Sequence, residues 1–362
     1  MRVVVLLLAL VTATIADALP RRRAVRAPQW IAPQCSEVRG FPSVGVSIDG
    51  GTTGLPHAET AEMFQVHTFG VALSRQPNQL YAATGRLLMI SNDAGCSWVP
   101  SGLLFPDHLY RLLPSAGGIW GWTHLRPELV LVEEGVQRNA PTPLPASFHA
   151  DQIDPNLLAI SDDTGSHWWS DDAGATWTPR PHAPAHPPVT VFEYAPSFRS
   201  HVIAAGLADG AHVTFDGGAT WAPAAGLQGL HVFNAAISPI DPARVWALAT
   251  DITVDGEARR GVYTSDDGGR SFTKIAAGSA QLGLTNATFL EPSPHDASLV
   301  SFDYPGTTLY LMDTTGAIRQ QSTLPWRDIE TIVFSPVPSV MYFGLHVSDM
   351  SADGSVIMHS LP

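Results

Sequence analysis

Acids standing two residues ahead of a glycine recur along this chain and are the first candidates for chemistry. Ser91-Asn92-Asp93-Ala94-Gly95-Cys96-Ser97-Trp98 is matched by Ser170-Asp171-Asp172-Ala173-Gly174-Ala175-Thr176-Trp177. It is matched again by Thr214-Phe215-Asp216-Gly217-Gly218-Ala219-Thr220-Trp221 and by Ser265-Asp266-Asp267-Gly268-Gly269-Arg270-Ser271-Phe272. Ser47-Ile48-Asp49-Gly50-Gly51-Thr52-Thr53 keeps everything but the closing aromatic residue. A positioned carboxylate can serve as a general acid or base. In this setting it has a simpler use. Asp accepts hydrogen bonds from the backbone N–H groups of its own turn, and the glycine supplies a positive φ. Asp49, Asp93, Asp172, Asp216 and Asp267 are therefore expected to be structural, and no catalytic residue is assigned.

Other groups could bind. Trp120, Trp122 and His124 form one cluster, Phe192, Glu193 and Tyr194 a second, and Phe302, Asp303 and Tyr304 a third. Exposed Trp and Tyr suit carbohydrate stacking or a protein hot spot; buried, the same rings would pack between sheets. His149 and Asp151 alternate along one expected strand and could face a central channel. His182 and His186 could hold two bonds to a metal, but a catalytic zinc needs three protein ligands and no third lies nearby. No metal and no cofactor is expected. No Gly-rich phosphate loop, nucleophile elbow or reactive-cysteine context is present.

These candidates need elements to hold them. The 362 residues include 31 Gly and 30 Pro spread along the chain, which points to many short strands joined by turns. A net charge of −13 without basic runs in the body argues against nucleic acid. A hydrophobic content of 45% argues against disorder. Residues 1–18 have a basic start, a short apolar run and an Ala16-Asp17-Ala18 cleavage site, the pattern of a secretory signal peptide. The apolar run falls short of a membrane span. Residues 19–34, with Arg21, Arg22, Arg23 and Arg26, read as a flexible Pro- and Arg-rich leader ahead of a single domain over 35–362. Export permits a disulfide, and Cys35 and Cys96 are the only two cysteines. A loop of that length closed by a disulfide is worth roughly 4 kcal/mol in the chain-entropy model. The expected protein is a secreted monomer, extracellular or periplasmic, with no membrane insertion after cleavage. Asn286-Ala287-Thr288 is a glycosylation sequon for a eukaryotic secretory pathway.

The acidic turns are the visible part of a longer repeat. Weaker copies lie at Glu133-Glu134-Gly135, Asp313 and Asp353, so an anchor acid recurs every 40–50 residues. Upstream of a turn lie two β-like runs split by a proline, as in Val232 to Ser238, Pro239 and Val245 to Thr250. Strand, Pro turn, strand, loop, strand, Asp turn, strand is one propeller blade.

The octamer resembles the Asp-box, or BNR, repeat of sialidase-like β-propellers. The resemblance implies an all-β, seven-bladed propeller. The stretch after Asp328 offers three strands, and the stretch around Cys35 to Leu55 is too short for a blade of its own. Joined, they make one shared blade that closes the ring, with the disulfide across its seam. The sialidases of this superfamily carry an Arg-Ile-Pro motif and an Arg triad; this chain has no Arg-Ile-Pro. The chain also resembles, more loosely, the exported bacterial propellers of the dispase autolysis-inducing family. That likeness implies a non-catalytic module whose partner is an extracellular protein, such as a secreted metalloprotease, or a glycan. A glycoside hydrolase with an unrecognised site is the alternative. A further resemblance, to photosystem II assembly propellers, is weaker, because those carry an Arg-rich face that this chain lacks outside its leader.

Overall fold

The computed structural model of the chain describes residues 29–347, apart from 42, 59–65, 85–86, 105–110, 116–117, 123–127, 134, 144–147, 155–156, 186, 197, 207–208, 251–260, 276–289, 305–307 and 325–328. Residues 1–18, expected to be a signal peptide, most of the expected leader, His124, His186, Asn286 and Asp353 lie outside the described residues.

The chain forms a seven-bladed β-propeller, and no helix occurs among the described residues. Strand β1 (Val44–Ser47) comes first and belongs to the last blade. Blade 1 is β2 (Val66–Leu73), β3 (Leu80–Thr84), β4 (Leu87–Ser91) and β5 (Val99–Leu104). Blade 2 is β6 (Arg111–Pro114), β7 (Gly118–Trp122), β8 (Glu128–Glu133) and β9 (Val136–Pro141). Blade 3 is β10 (Phe148–Asp154), β11 (Leu157–Asp162), β12 (His167–Ser170) and β13 (Thr178–Arg180). Blade 4 is β14 (Val189–Ala195), β15 (Phe198–Gly206), β16 (Ala211–Thr214) and β17 (Ala222–Pro223). Blade 5 is β18 (His231–Ile237), β19 (Val245–Thr250), β20 (Gly261–Ser265) and β21 (Thr273–Lys274). Blade 6 is β22 (Glu291–Pro292), β23 (Leu299–Tyr304), β24 (Thr308–Asp313) and β25 (Ile318–Thr323). Blade 7 pairs β26 (Ile329–Phe334) with β27 (Met341–Val347), and β27 with β1. All these pairings are antiparallel, each blade following the meander expected from its short connections.

The ring closes as the sequence implies, by N- and C-terminal strands sharing blade 7. Val44 pairs with Gly344 and Ser47 with Met341. The C-terminal stretch supplies two described strands. The outer edge of the blade comes from the N-terminal side, where the Leu55 N–H donates to the Val46 carbonyl.

The core lies between blades. Seven clusters of buried side chains each join two neighbouring blades, one cluster per gap. The second strands are buried on both faces, because each face looks at a different neighbour. Val245, Trp246, Ala247 and Ala249 of β19 have no exposed surface. Val245 and Ala247 pack toward blade 4, and Trp246 packs toward blade 6.

The five Asp turns share one geometry between third and fourth strands. In the Asp93 turn, the Ser91 hydroxyl donates to Asp93 Oδ1 at 2.8 Å and accepts from the Gly95 N–H at 2.9 Å. The Ser97 N–H donates to Oδ1 at 2.9 Å, and its hydroxyl donates to Oδ2 at 2.5 Å. Asp49, Asp172, Asp216 and Asp267 repeat these bonds. Asp313 is not of this kind. It accepts from the N–H groups of Thr315 and Ala317 in a tighter turn, as Asp162 does from Thr164 and Ser166. Glu133 ends a hairpin in which it pairs with Val136, so blade 2 has no Asp turn.

The disulfide joins Cys35 to Cys96 with Cα atoms 5.8 Å apart. Cys35 precedes β1 rather than lying on it. Beside the bond, the Arg39 N–H donates to the Cys96 carbonyl and the Trp98 N–H to the Arg39 carbonyl. Blades 4 and 5 meet identically, with Ala225 in the place of Arg39 and Arg270 and Phe272 as its partners. Trp30 and Ala32 pack on the blade 7 and blade 1 cluster.

Candidate functional site

The seven innermost strands surround the axis, and a cavity of about 380 Å³ lies there. Pro196 and Pro239, from turns between first and second strands, line it. The cavity therefore reaches the end that carries the Asp turns. Apolar wall comes from Leu112, Leu113, Leu290 and Ile332.

A second repeat positions the polar wall. Ser74, Ser115, Ser238, Ser293 and Ser335 directly follow their innermost strands, are buried, and accept a hydrogen bond from a backbone N–H two or three residues on. Four residues before a serine of this set stand Gly70, Arg111, Asn234 and Thr331, each lining the cavity. The ladder slips register at Gly70, Asn234 and Thr331, where a bulge re-aims the strand.

Glu193 on β14, Glu291 on β22 and Glu330 on β26 add three carboxylates, against the single guanidinium of Arg111 among the described residues of the wall. Glu291 keeps part of its surface open to the channel while its carboxyl is ringed by protein. Desolvation pushes that carboxyl up to about 7, and the Arg111 charge only partly opposes the shift.

The structure separates the expected binding residues. Glu193 is half-buried on the channel wall. Phe192 and Tyr194 also line the cavity, but their rings are committed to packing between blades 3 and 4. Phe192 lies 5.0 Å from the His167 ring, and the Tyr194 hydroxyl is 3.2 Å from His167 Nδ1. His149 is on an innermost strand, β10, but its side chain is outside the described residues. Trp120 and Trp122 do not reach the channel. They sit on β7 at 2% and 3% exposure in the gap between blades 2 and 3, where Trp120 lines a separate cavity of about 580 Å³ away from the axis. Asp303 and Tyr304 end β23, a second strand, and their side chains are likewise outside the described residues. Arg111, Asn234, Glu291 and Glu330 were not singled out by sequence. The spacing of four residues to the strand-ending serine marks Arg111 and Asn234.

The His182 imidazole bonds the Ala183 carbonyl through Nδ1 at 2.7 Å. Among the described residues, no three His, Cys, Asp or Glu side chains gather as metal ligands, and no helix is long and apolar enough to cross a membrane.

Comparison with known proteins decides the family. A curated protein of Streptomyces mobaraensis, dispase autolysis-inducing protein, is 31% identical over 337 residues, covering 87% of this chain and 90% of that protein. The chain belongs to the dispase autolysis-inducing protein family. No family model matches it. Solved structures share the fold at low identity. The GH74 enzyme of Niastella koreensis matches with a TM-score of 0.54 at 16% identity, over 72% of this chain and 41% of that one. A structure titled "YCF48 bound to D1 peptide" matches at 0.56 and 12%, over 86% of this chain and 99% of that one.

Proposed function

We propose that this protein is a secreted, non-catalytic propeller that binds another extracellular protein, and that the partner is a protease. The supporting observation is the family: likeness at 31% identity runs along nearly the whole of both chains, so the two share a ring and not just a motif. The name of that relative points to a protease as the protein acted upon. In this reading residues 1–18 are a signal peptide, 19–34 a leader, and the five Asp turns are Asp-box repeats. The protein works as a monomer at an extracellular or periplasmic location. The rigid walls of the channel favour binding, since each polar group is fixed by its own strand and pays little entropy on contact.

The test mixes purified protein with a thermolysin-like neutral metalloprotease and follows protease activity and fragmentation with time. Faster autolysis in proportion to the amount of propeller is expected. An unchanged decay curve across a panel of secreted proteases sinks the reading. The glycosidase alternative draws only on the fold likeness to GH74 enzymes. Turnover of a polysaccharide that Glu193→Gln abolishes would favour it.

A further inference from the structure

We propose that the gap between blades 2 and 3 is a slot for a tyrosine side chain of the bound protein, whose hydroxyl bridges the Trp120 indole N–H and the Ala173 carbonyl. The inference rests on the protein-binding reading above and names the group that this surface takes.

The Asp turns carry it, because they repeat. At four of the five, the carbonyl of the residue after the acid accepts a hydrogen bond from a side chain of the preceding blade. Gln320 donates to Gly50 at 3.0 Å, the Tyr342 hydroxyl to Ala94 at 3.1 Å, Arg180 to Gly217 at 3.0 Å and His201 Nε2 to Gly268 at 2.8 Å. The Asp172 turn of blade 3 breaks the rule: no side chain among the described residues donates to the Ala173 carbonyl.

Trp120 stands where the donor should be. It pairs with Leu113 as Tyr342 pairs with Val333, in both cases two residues before the serine that follows the innermost strand. Each ring also lies against the glycine of the neighbouring turn, Tyr342 against Gly95 and Trp120 against Gly174. An indole in place of a phenol leaves the carbonyl bare, and Trp120 Nε1 is itself buried without an acceptor. Trp169, Trp221 and Trp246 share that state, but in gaps without an uncapped Asp turn. The turn also stands back from its neighbour. A Cβ on Gly51, Gly95, Gly218 or Gly269 would come within 2.6, 2.9, 3.0 or 2.9 Å of a side chain of the preceding blade, whereas on Gly174 the nearest atom would be 3.5 Å away. The 580 Å³ cavity opens there, with Trp120, Ala173 and Gly174 in its wall.

An open donor and an open acceptor beside one cavity ask for a group that accepts and donates, and a hydroxyl does both with one atom. The other polar groups of the wall are already committed. Asp172 takes the bonds of its own turn, Glu133 accepts from Ser115, and Asn139 is tied to Glu128 and Gln137. A sugar would bring several hydroxyls and leave most of them unpaired; a phenol brings one. Leu131, Ala140, Pro141 and Ala175 offer apolar wall to a flat ring, and the exposed Arg138 guanidinium can lie over its face.

The test follows the indole N–H signals of the full protein, isotope-labelled at tryptophan, by NMR; the Trp120 signal is the one lost in Trp120→Phe. The probe is N-acetyl-tyrosinamide and the control N-acetyl-phenylalaninamide, which differs by the hydroxyl alone. A saturable shift of the Trp120 signal is expected with the tyrosine probe, and roughly tenfold weaker binding of the phenylalanine analogue, the worth of one buried hydrogen bond. In Trp120→Phe, the signal of Trp177, which packs in the same gap, should report similarly weakened binding of the tyrosine probe. Equal binding of the two amides, or a Trp120 signal that stays still up to the solubility of the probe, overturns the proposal. So does a shift with methyl glucoside and none with the tyrosine probe, which would make the site a glycan's. Should Trp120→Phe fail to fold, Ala175→Leu, which narrows the cavity from an exposed position, decides: unchanged probe binding overturns the slot. An Ala175→Leu protein that loses the probe but still accelerates protease autolysis overturns the slot as the contact point and leaves the protein-binding reading standing. Probe binding by a wild type that leaves protease decay unchanged supports the slot and sinks only the protease as partner.

Discussion

Asp93 shows what a turn carboxylate does. It takes bonds from the Ser91 hydroxyl, the Ser97 N–H and the Ser97 hydroxyl, and these together hold its carboxyl below the usual range although desolvation pulls the other way. Asp93→Ala should cost about 2 kcal/mol, since the turn loses its shared acceptor and much of the site faces water. Urea unfolding of the variant checks this, and a midpoint equal to wild type would contradict the structural role. Buried histidine predicts the pH response. His167 is 1% exposed, and burial lowers its pKa to about 4 from 6.5. Between those values the unfolded chain binds a proton that the folded one refuses. Stability is therefore whole above pH 6.5 and falls by about 3 kcal/mol as pH drops to 4. His201, His212 and His231 shift in the same direction, and the turn aspartates add a further loss below pH 4. A melting temperature that is flat from pH 7 to 4.5 would refute this, and His167→Gln should flatten the slope. The turns were legible because five residues at fixed spacing do one job. Trp120 and Trp122 were not, since an aromatic pair reads alike whether it faces solvent or a neighbouring blade.

At the scale of elements, the seams between blades carry the sharpest constraint. Gly226 has φ of 87°, and a Cβ there would stand 2.2 Å from the Phe272 carbonyl oxygen. Gly40 has φ of 82° and the same 2.2 Å clash with the Trp98 carbonyl. Both lie one residue after the chain pairs with the next blade's Asp turn, so the glycine lets backbone approach backbone. Gly226→Ala should cost more than about 2 kcal/mol through strain at positive φ and the clash. Hydrogen exchange should rise at the Phe272 and Ala225 amides, the two seam donors, and unchanged exchange there would count against the seam. At the other seam, replacing Cys35 and Cys96 with Ser removes a constraint spanning 61 residues. The loss is up to about 4 kcal/mol by chain entropy, read as a lower melting temperature with the same fold. The octamer announced the Asp turns but not this pairing, because a lone glycine between blades has no pattern of its own. Nor could β22, at two residues, announce Glu291: a strand that short has no period to read.

At the scale of the molecule, ring closure depends on a strand that the chain makes first and uses last. β27 waits for β1, and until they pair it presents an open edge, the kind of surface that sheets use to aggregate. Four residue pairs link the two strands, and the Tyr342 hydroxyl of blade 7 donates to the Ala94 carbonyl of blade 1 at 3.1 Å. The first blade is fixed to the last by the pairing of β2 with β27 at Val66–Val347 and His67–His346, by the disulfide and by the packed layer around Val44, Val46 and Tyr342. Removing residues 1–58 should do more than lose the disulfide. It strips blade 7 to β26 and β27, bares Tyr342 and Val340, and leaves an edge that a second copy can fill. The expected product is an oligomer or an aggregate by light scattering, while the Cys35→Ser, Cys96→Ser protein stays monomeric. A monomeric truncation with the wild-type melting temperature would show that six blades and a half suffice. The comparison is informative because both variants lose the disulfide and only one loses the strand, so the difference between them measures the closing strand itself.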